Sequence, residues 1–177
     1  IKYRALDPKL QLWVAACLFW GYLDVYEKFR GAMSPEDQES FYQMAKPLGT
    51  TLQVKDDMWP DNIEDFWVYW NETLENLDMP EDVAAWLEQL IDFTFLGPAF
   101  SIPLGGFAKL MTTGFLHPTI RDQIGLPWSS KEKRKFDMYI KPIATVNKAM
   151  PRALRQLPGA FFIWDFRRRI KKGDPLN

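Results

Sequence analysis

The chain has 177 residues, of which 47% are hydrophobic and 15% aromatic, with eight Trp and thirteen Phe. That content excludes disorder over most of the length and is enough for one domain with a real core. A single cysteine, Cys17, excludes disulfides and Cys-based zinc or iron–sulfur sites. Net charge is −1, but residues 1–100 sum to −11 and residues 131–177 to +9. Such asymmetry points either to an anionic surface met by the basic part, or to acidic and basic parts facing each other or water.

Asp7 to Gly31 is the organising stretch. Asp7 suits an N-cap, Pro8 the first helical position, and Gly31 a left-handed C-terminal cap. Between them the apolar residues leave almost no polar face, which predicts a buried central helix around which the rest packs. Its uncharged run, Leu10 to Leu23, is 14 residues, short of the roughly 17–25 needed to span hydrocarbon. Ile1-Lys2-Tyr3-Arg4 has no signal-peptide pattern and no initiator Met, so the expectation is a fragment or processed product in the cytoplasm, with membrane-peripheral contact as an option.

Ser34-Pro35-Glu36-Asp37 starts a helix that runs to about Lys46 and stops before Pro47. Residues 50–60 read as loop. From Asn62, the positions Ile63, Phe66, Trp67, Trp70, Leu74 and Leu77 fall three and four apart, a strong amphipathic helix. A second helix follows Pro80 and is expected to bury Val83, Trp86, Leu87, Leu90 and Ile91. Phe93 to Leu116 holds two prolines and four glycines among apolar residues. It reads as a buried irregular connection and a short helix near Gly106–Thr113, with a shallow membrane contact as the alternative.

Pro118 to Gly125 reads as one or two turns. Ser129 or Ser130 caps a longer helix bearing Phe136, Tyr139, Ile140, Ile143 and Val146, which Pro142 should kink or split. After Pro158-Gly159, residues 161–172 form a last short helix, and 173–177 a loose tail. No alternating strand pattern persists. The fold class is all-α: one multi-helix globular domain over residues 1–172, packed around the buried central helix.

The only histidine is His117, beside Pro118, with no flanking ligand spacing. Di-iron bundles need Glu-x-x-His pairs that the chain lacks. Cys17, with no basic neighbour in sequence, reads as packing. Trp13, Phe19, Trp20, Trp67 and Trp70 suit either a core or the wall of a flat cofactor. The residues alone thus give a helical domain without a self-contained catalytic constellation.

Three stretches together resemble the oxygenase MpaB family of helical haem proteins, which takes in the latex-clearing rubber oxygenases. They are Tyr3-Arg4-Ala5-Leu6-Asp7-Pro8 running to Trp13, then Pro60 followed by Asp65-Phe66-Trp67-Val68-Tyr69-Trp70, then His117-Pro118-Thr119-Ile120-Arg121-Asp122-Gln123-Ile124-Gly125-Leu126-Pro127-Trp128. The resemblance covers most of the chain in order and suggests its C-terminal portion of a longer domain. It implies a b-type haem held by a histidine and oxidative cleavage of carbon–carbon double bonds in an apolar substrate. The family's ligating histidine lies upstream of the Tyr3–Pro8 motif, so a missing N-terminal segment is the implied partner. Many members read Trp-x-His-Ala-Thr where this chain has Trp13-Val14-Ala15-Ala16-Cys17, and Ala15 cannot ligate or move a proton. What carries over is a cofactor-pocket wall at Trp13, Ala16, Cys17 and Trp20, with no catalytic residue, no metal ligand and no nucleic-acid partner. The rival expectation is a non-enzymatic binding or membrane-associated relative that kept the fold.

Overall fold

The structure is a computed structural model that describes residues 4–173; of the loose tail expected at 173–177, all but Gly173 lies outside the described residues. All its regular elements are helical, as the absence of strand periodicity predicts. Helix α1 spans Pro8–Arg30, with the Asp7 carboxylate accepting the Lys9 N–H at 2.8 Å. Gly31 ends it at φ 99°, ψ 171°, a positive-φ conformation that glycine tolerates but extended rather than left-handed helical.

Helix α2 (Pro35–Ala45) is capped by the Ser34 hydroxyl, which accepts the Asp37 N–H at 3.1 Å. Pro47 does not merely stop it, because it opens the single turn α3 (Pro47–Thr50). Helix α4 (Ile63–Glu75) is capped by Asn62 and buries Phe66, Trp70 and Leu74 of the stripe read from the sequence, while Ile63 and Trp67 are half-buried and Leu77 lies beyond its end. Phe66, Trp70 and Leu74 join Leu12, Ala15, Ala16, Phe19 and Leu23 of α1 and Tyr42, Val54 and Trp59 in one core. Phe19 sits at its centre, edge-on to Tyr42 at 5.2 Å and to Phe66 at 4.8 Å. Such edge-to-face pairs add about 0.5–1.5 kcal/mol each beyond burial. The Tyr42 hydroxyl is satisfied by donating to the Pro60 carbonyl at 2.6 Å.

The central helix is only partly enclosed. Leu10, Val14, Leu18, Tyr22 and Val25 form an exposed apolar stripe along its outer face, contrary to the expectation of burial all round. Helix α5 (Glu81–Ile91) departs likewise, since only Ile91 is buried while Val83 and Trp86 face outward.

The stretch after α5 corrects the sequence reading most. Irregular backbone is confined to a short link: Phe93 at a left-handed φ of 61°, a 3-10 turn over Thr94–Leu96, and Gly97 at φ 82°. From there α6 runs unbroken over Pro98–Phe115, through Gly105-Gly106, Gly114 and Pro103. It is not simply core, because Ile102, Leu104 and Phe107 are exposed. Helix α7 (Pro118–Ile124) leads to α8 (Ser130–Ala149), whose start carries a reciprocal capping box between Ser129 and Glu132. Pro142 does not split α8, and α9 extends over Arg152–Lys172 through Pro158 and Gly159 instead of starting near Phe161.

A proline inside a helix loses the bond to the carbonyl four residues back. For Pro103, Pro142 and Pro158 that residue is Ala99, Met138 and Leu154, and each is exposed, so water can serve the orphaned carbonyl. The glycines act as contact points. A Cβ on Gly105 would strike the Asp92 carbonyl, and one on Gly114 would strike the buried Phe136 ring. Phe136, Ile140 and Ala144 seat α8 against α6 and α1. Among the described residues, no helix is long and apolar enough to cross a membrane.

Candidate functional site

Trp13, Cys17 and Trp20 recur at intervals of four and three, so one edge of α1 presents all three toward α4. Trp70, buried at the middle of α4, receives both indoles: Trp13 at 5.0 Å between centroids and Trp20 stacked at 5.6 Å and 9°. His117 then closes on the same group, edge-on to Trp20 at 5.3 Å and to Trp70 at 5.9 Å. Trp13 and Trp20 are half-buried. Cys17 is half-buried too, and desolvation pushes its thiol up to about 11. It is therefore a neutral thiol at physiological pH. Ala16, three residues from Trp13 and four from Trp20, lies on the same side of α1 but is fully buried, as is Ala15.

A cavity of about 690 Å³ opens between α1 and α4 next to this aromatic group. Leu10, Leu12, Trp13, Met58, Tyr69 and Leu77 supply its apolar lining, and Lys9, Glu72, Thr73, Asn76 and Asp78 its polar positions. Of the four residues expected to line a pocket, Trp13 does; Ala16, Cys17 and Trp20 are not among the lining residues. Burial raises the Tyr69 phenol above its usual range. The Thr73 hydroxyl is turned back onto α4, donating to the Tyr69 carbonyl at 2.7 Å. Tyr69, Thr73 and Met58 were missed in the sequence. The available signal was the aromatic–hydroxyl pair at i and i+4, one position off the buried stripe of α4.

His117 forms the N-cap of α7, its Nδ1 accepting the Thr119 N–H at 3.3 Å. Burial holds its pKa below the ordinary histidine value, Arg121 adds to this, and Asp24 opposes it. Arg121 lies over the Trp128 ring at 4.9 Å, fixing the loop between α7 and α8.

A b-type haem asks for an axial donor opening onto space of haem size. The cavity is spacious and mostly apolar, but no imidazole faces it, and the Cys17 thiol and Tyr69 phenol are both held in their neutral forms. The sole imidazole is engaged as a cap and wedged against two indoles. The described residues by themselves do not fit a ligated haem. Among them, no group of three or more His, Cys, Asp or Glu is arranged to hold a metal ion.

Residues 1–145 match the family described as "ER-bound oxygenase mpaB/B'/Rubber oxygenase, catalytic domain". An uncharacterized protein of Mycobacterium bovis is 35% identical over 173 residues, covering 98% of this chain and 68% of the relative. An uncharacterized protein of Mycobacterium tuberculosis matches with the same identity and coverage. No solved structure matches the chain.

Proposed function

The chain belongs to the ER-bound oxygenase mpaB/B' and rubber oxygenase catalytic-domain family, and from that footing we propose that its α1–α4 cavity holds the apolar reactant of an oxygenase-type reaction. The observation that carries this is the 690 Å³ space walled by Trp13, Leu10, Leu12 and Met58, with Lys9, Glu72 and Asp78 among its few polar lining residues. An apolar wall rewards transfer of a hydrocarbon from water, while a few polar groups fix its orientation. The substrate class proposed is an unsaturated apolar small molecule with at most one polar end. Trp13 and Leu12 would hold its chain, and the neutral Tyr69 phenol would exclude water from it. A b-type haem, in this reading, supplies the oxidising chemistry and takes its ligand from outside residues 4–173. Cytoplasmic location at a membrane periphery is part of the same proposal.

A second reading is a binding protein without oxidative chemistry. It is favoured by Ala15, fully buried where the resemblance places a histidine in many members. One experiment tests the cavity that both readings share, together with the haem-ligand placement of the first. An apolar alkene is titrated against the protein by tryptophan fluorescence, and haemin is titrated in parallel by absorption. Saturable alkene binding that Leu10→Asp weakens by placing a charge in the apolar wall supports both readings. Alkene binding unaffected by that variant overturns the cavity assignment. A stoichiometric histidine-type Soret band from the 177 residues, lost in His117→Ala, overturns placement of the ligand outside them.

A further inference from the structure

Helix α9 is 21 residues long, buries none of them, and takes no part in the principal helix–helix contacts. It also lies beyond residues 1–145, so the family match does not account for it. Its middle carries Leu157, Phe161, Phe162, Ile163, Trp164 and Phe166, all more than half exposed and Phe162 at 71%. These are not confined to one face. They are bracketed instead along the axis, by Arg152 and Arg155 before and by Arg167, Arg168, Arg169, Lys171 and Lys172 after. The helix thus has seven cations against one acid, Asp165, which pairs with Arg169 at 2.9 Å. Arg168 lies over the Trp164 ring at 5.5 Å, so charge and aromatic surface adjoin.

We infer that α9 docks the protein on an anionic lipid surface, its aromatic middle entering the headgroup–acyl boundary and its flanking Arg and Lys staying among the phosphates. Indole and long basic side chains suit that layer, since each has an apolar body and a polar end. The alternatives fit the charges or the apolar surface, not both. A second copy would set seven cations against seven. A nucleic acid would meet the cations and could stack on the rings, yet it would leave the aliphatic Leu157 and Ile163 side chains in water. Anionic lipid rewards both features at once. The acidic first hundred residues, at −11, would be repelled and so orient the molecule with α9 down. The inference does not depend on the chemistry proposed for the α1–α4 cavity.

The test is co-sedimentation of the full chain with vesicles of phosphatidylcholine alone or mixed with phosphatidylserine, at low and high salt. Binding is expected to the mixed vesicles, to weaken with salt, and to fall about 10- to 100-fold in an Arg167→Gln, Arg168→Gln, Lys171→Gln variant. Phe162→Ser with Trp164→Ser should also lower binding while leaving the thermal melt unchanged, which separates docking from folding. Equal binding to both vesicle types overturns the inference, as does no binding at low salt or wild-type binding by the triple variant. Self-association, or binding to poly(U), in the absence of vesicle binding overturns it as well.

Discussion

Helices α1 and α9 are close in length, 23 and 21 residues, and both carry apolar side chains around most of their circumference. Yet α1 buries Leu12, Ala15, Ala16, Phe19 and Leu23, and α9 buries nothing. The difference lies in what flanks the apolar residues. In α1 the adjacent alanines let neighbouring backbones close in, and Phe19 fills the space between them. In α9 the equivalent small pair, Gly159–Ala160, is present, but Arg152 and Arg155 before it and five cations after the rings flank the apolar residues, and among the described residues α9 makes none of the principal helix–helix contacts. Apolar content therefore sets the capacity for burial, and flanking charge decides whether a protein neighbour fulfils it.

The strongest way to break this contrast is at the body's centre. Trp70 is 1% exposed and meets Trp13, Trp20, Phe66 and His117. Trp70→Ala should lower unfolding free energy by about 3–5 kcal/mol in urea melts. A loss below about 1 kcal/mol would place Trp70 on a surface and remove the core that α1 is read against. Next comes the seam between α6 and α8. Gly114→Ala drives a methyl group into the Phe136 ring, which is 3% exposed and has little room to yield. It should cost about 1–3 kcal/mol, the overpacking range. Gly21→Ala on α1 has the opposite sign, because nothing lies within 4 Å of the added Cβ. A gain of about 0.5–1 kcal/mol follows from helix propensity alone. If Gly114→Ala raised stability as Gly21→Ala does, the close approach at Gly114 would be wrong.

The sequence disclosed whatever local chemistry controls. Asp7 and Ser34 cap where read, Ser129 is the cap of the Ser129–Ser130 pair, and Phe66, Trp70 and Leu74 of the α4 stripe are buried as their spacing of three and four requires. It concealed what depends on a helix's surroundings. Pro103 and Pro158 read as breaks, and only the exposure of Ala99 and Leu154 explains why α6 and α9 continue. Gly114 read as a breaker because the Phe136 ring it accommodates is far away in sequence. The same holds at the candidate site. Trp13 and Trp20 were legible as a stripe, but their meeting on Trp70, the approach of His117 and the lining role of Tyr69 and Thr73 are tertiary facts.

His117 offers a finer probe of the α1 side. Its pKa is held down by burial first and by Arg121 second, so the unfolded chain takes up a proton that the native protein resists. Stability from this group is complete above the ordinary histidine value of about 6.5 and is lost as pH falls through it toward the folded value. His117→Asn keeps an acceptor for the Thr119 N–H but cannot titrate. Urea midpoints taken between pH 7.5 and 5 should fall less steeply for this variant than for wild type. Parallel slopes would mean that His117 is solvated and not wedged against Trp20 and Trp70.

The smallest expected effect sharpens the comparison most. Phe162 is an aromatic residue in a helix interior, as Trp70 is, and differs in being 71% exposed. Its ring touches Phe161 of the same helix at 6.0 Å between centroids. Removing it gives up little buried area, so Phe162→Ser should change unfolding free energy by no more than about 0.5 kcal/mol, the range for ordinary surface positions. Helix propensity contributes almost nothing, because Ser and Phe rank near each other. The measurement is a urea melt in dilute, lipid-free buffer, repeated over a tenfold range of protein concentration. A loss above about 1 kcal/mol at every concentration would mean that α9 packs against its own chain. A loss appearing only at high concentration would mean that a second copy covers it. A flat response leaves exposed aromatic surface that folding does not use, the condition under which docking elsewhere explains why it is there.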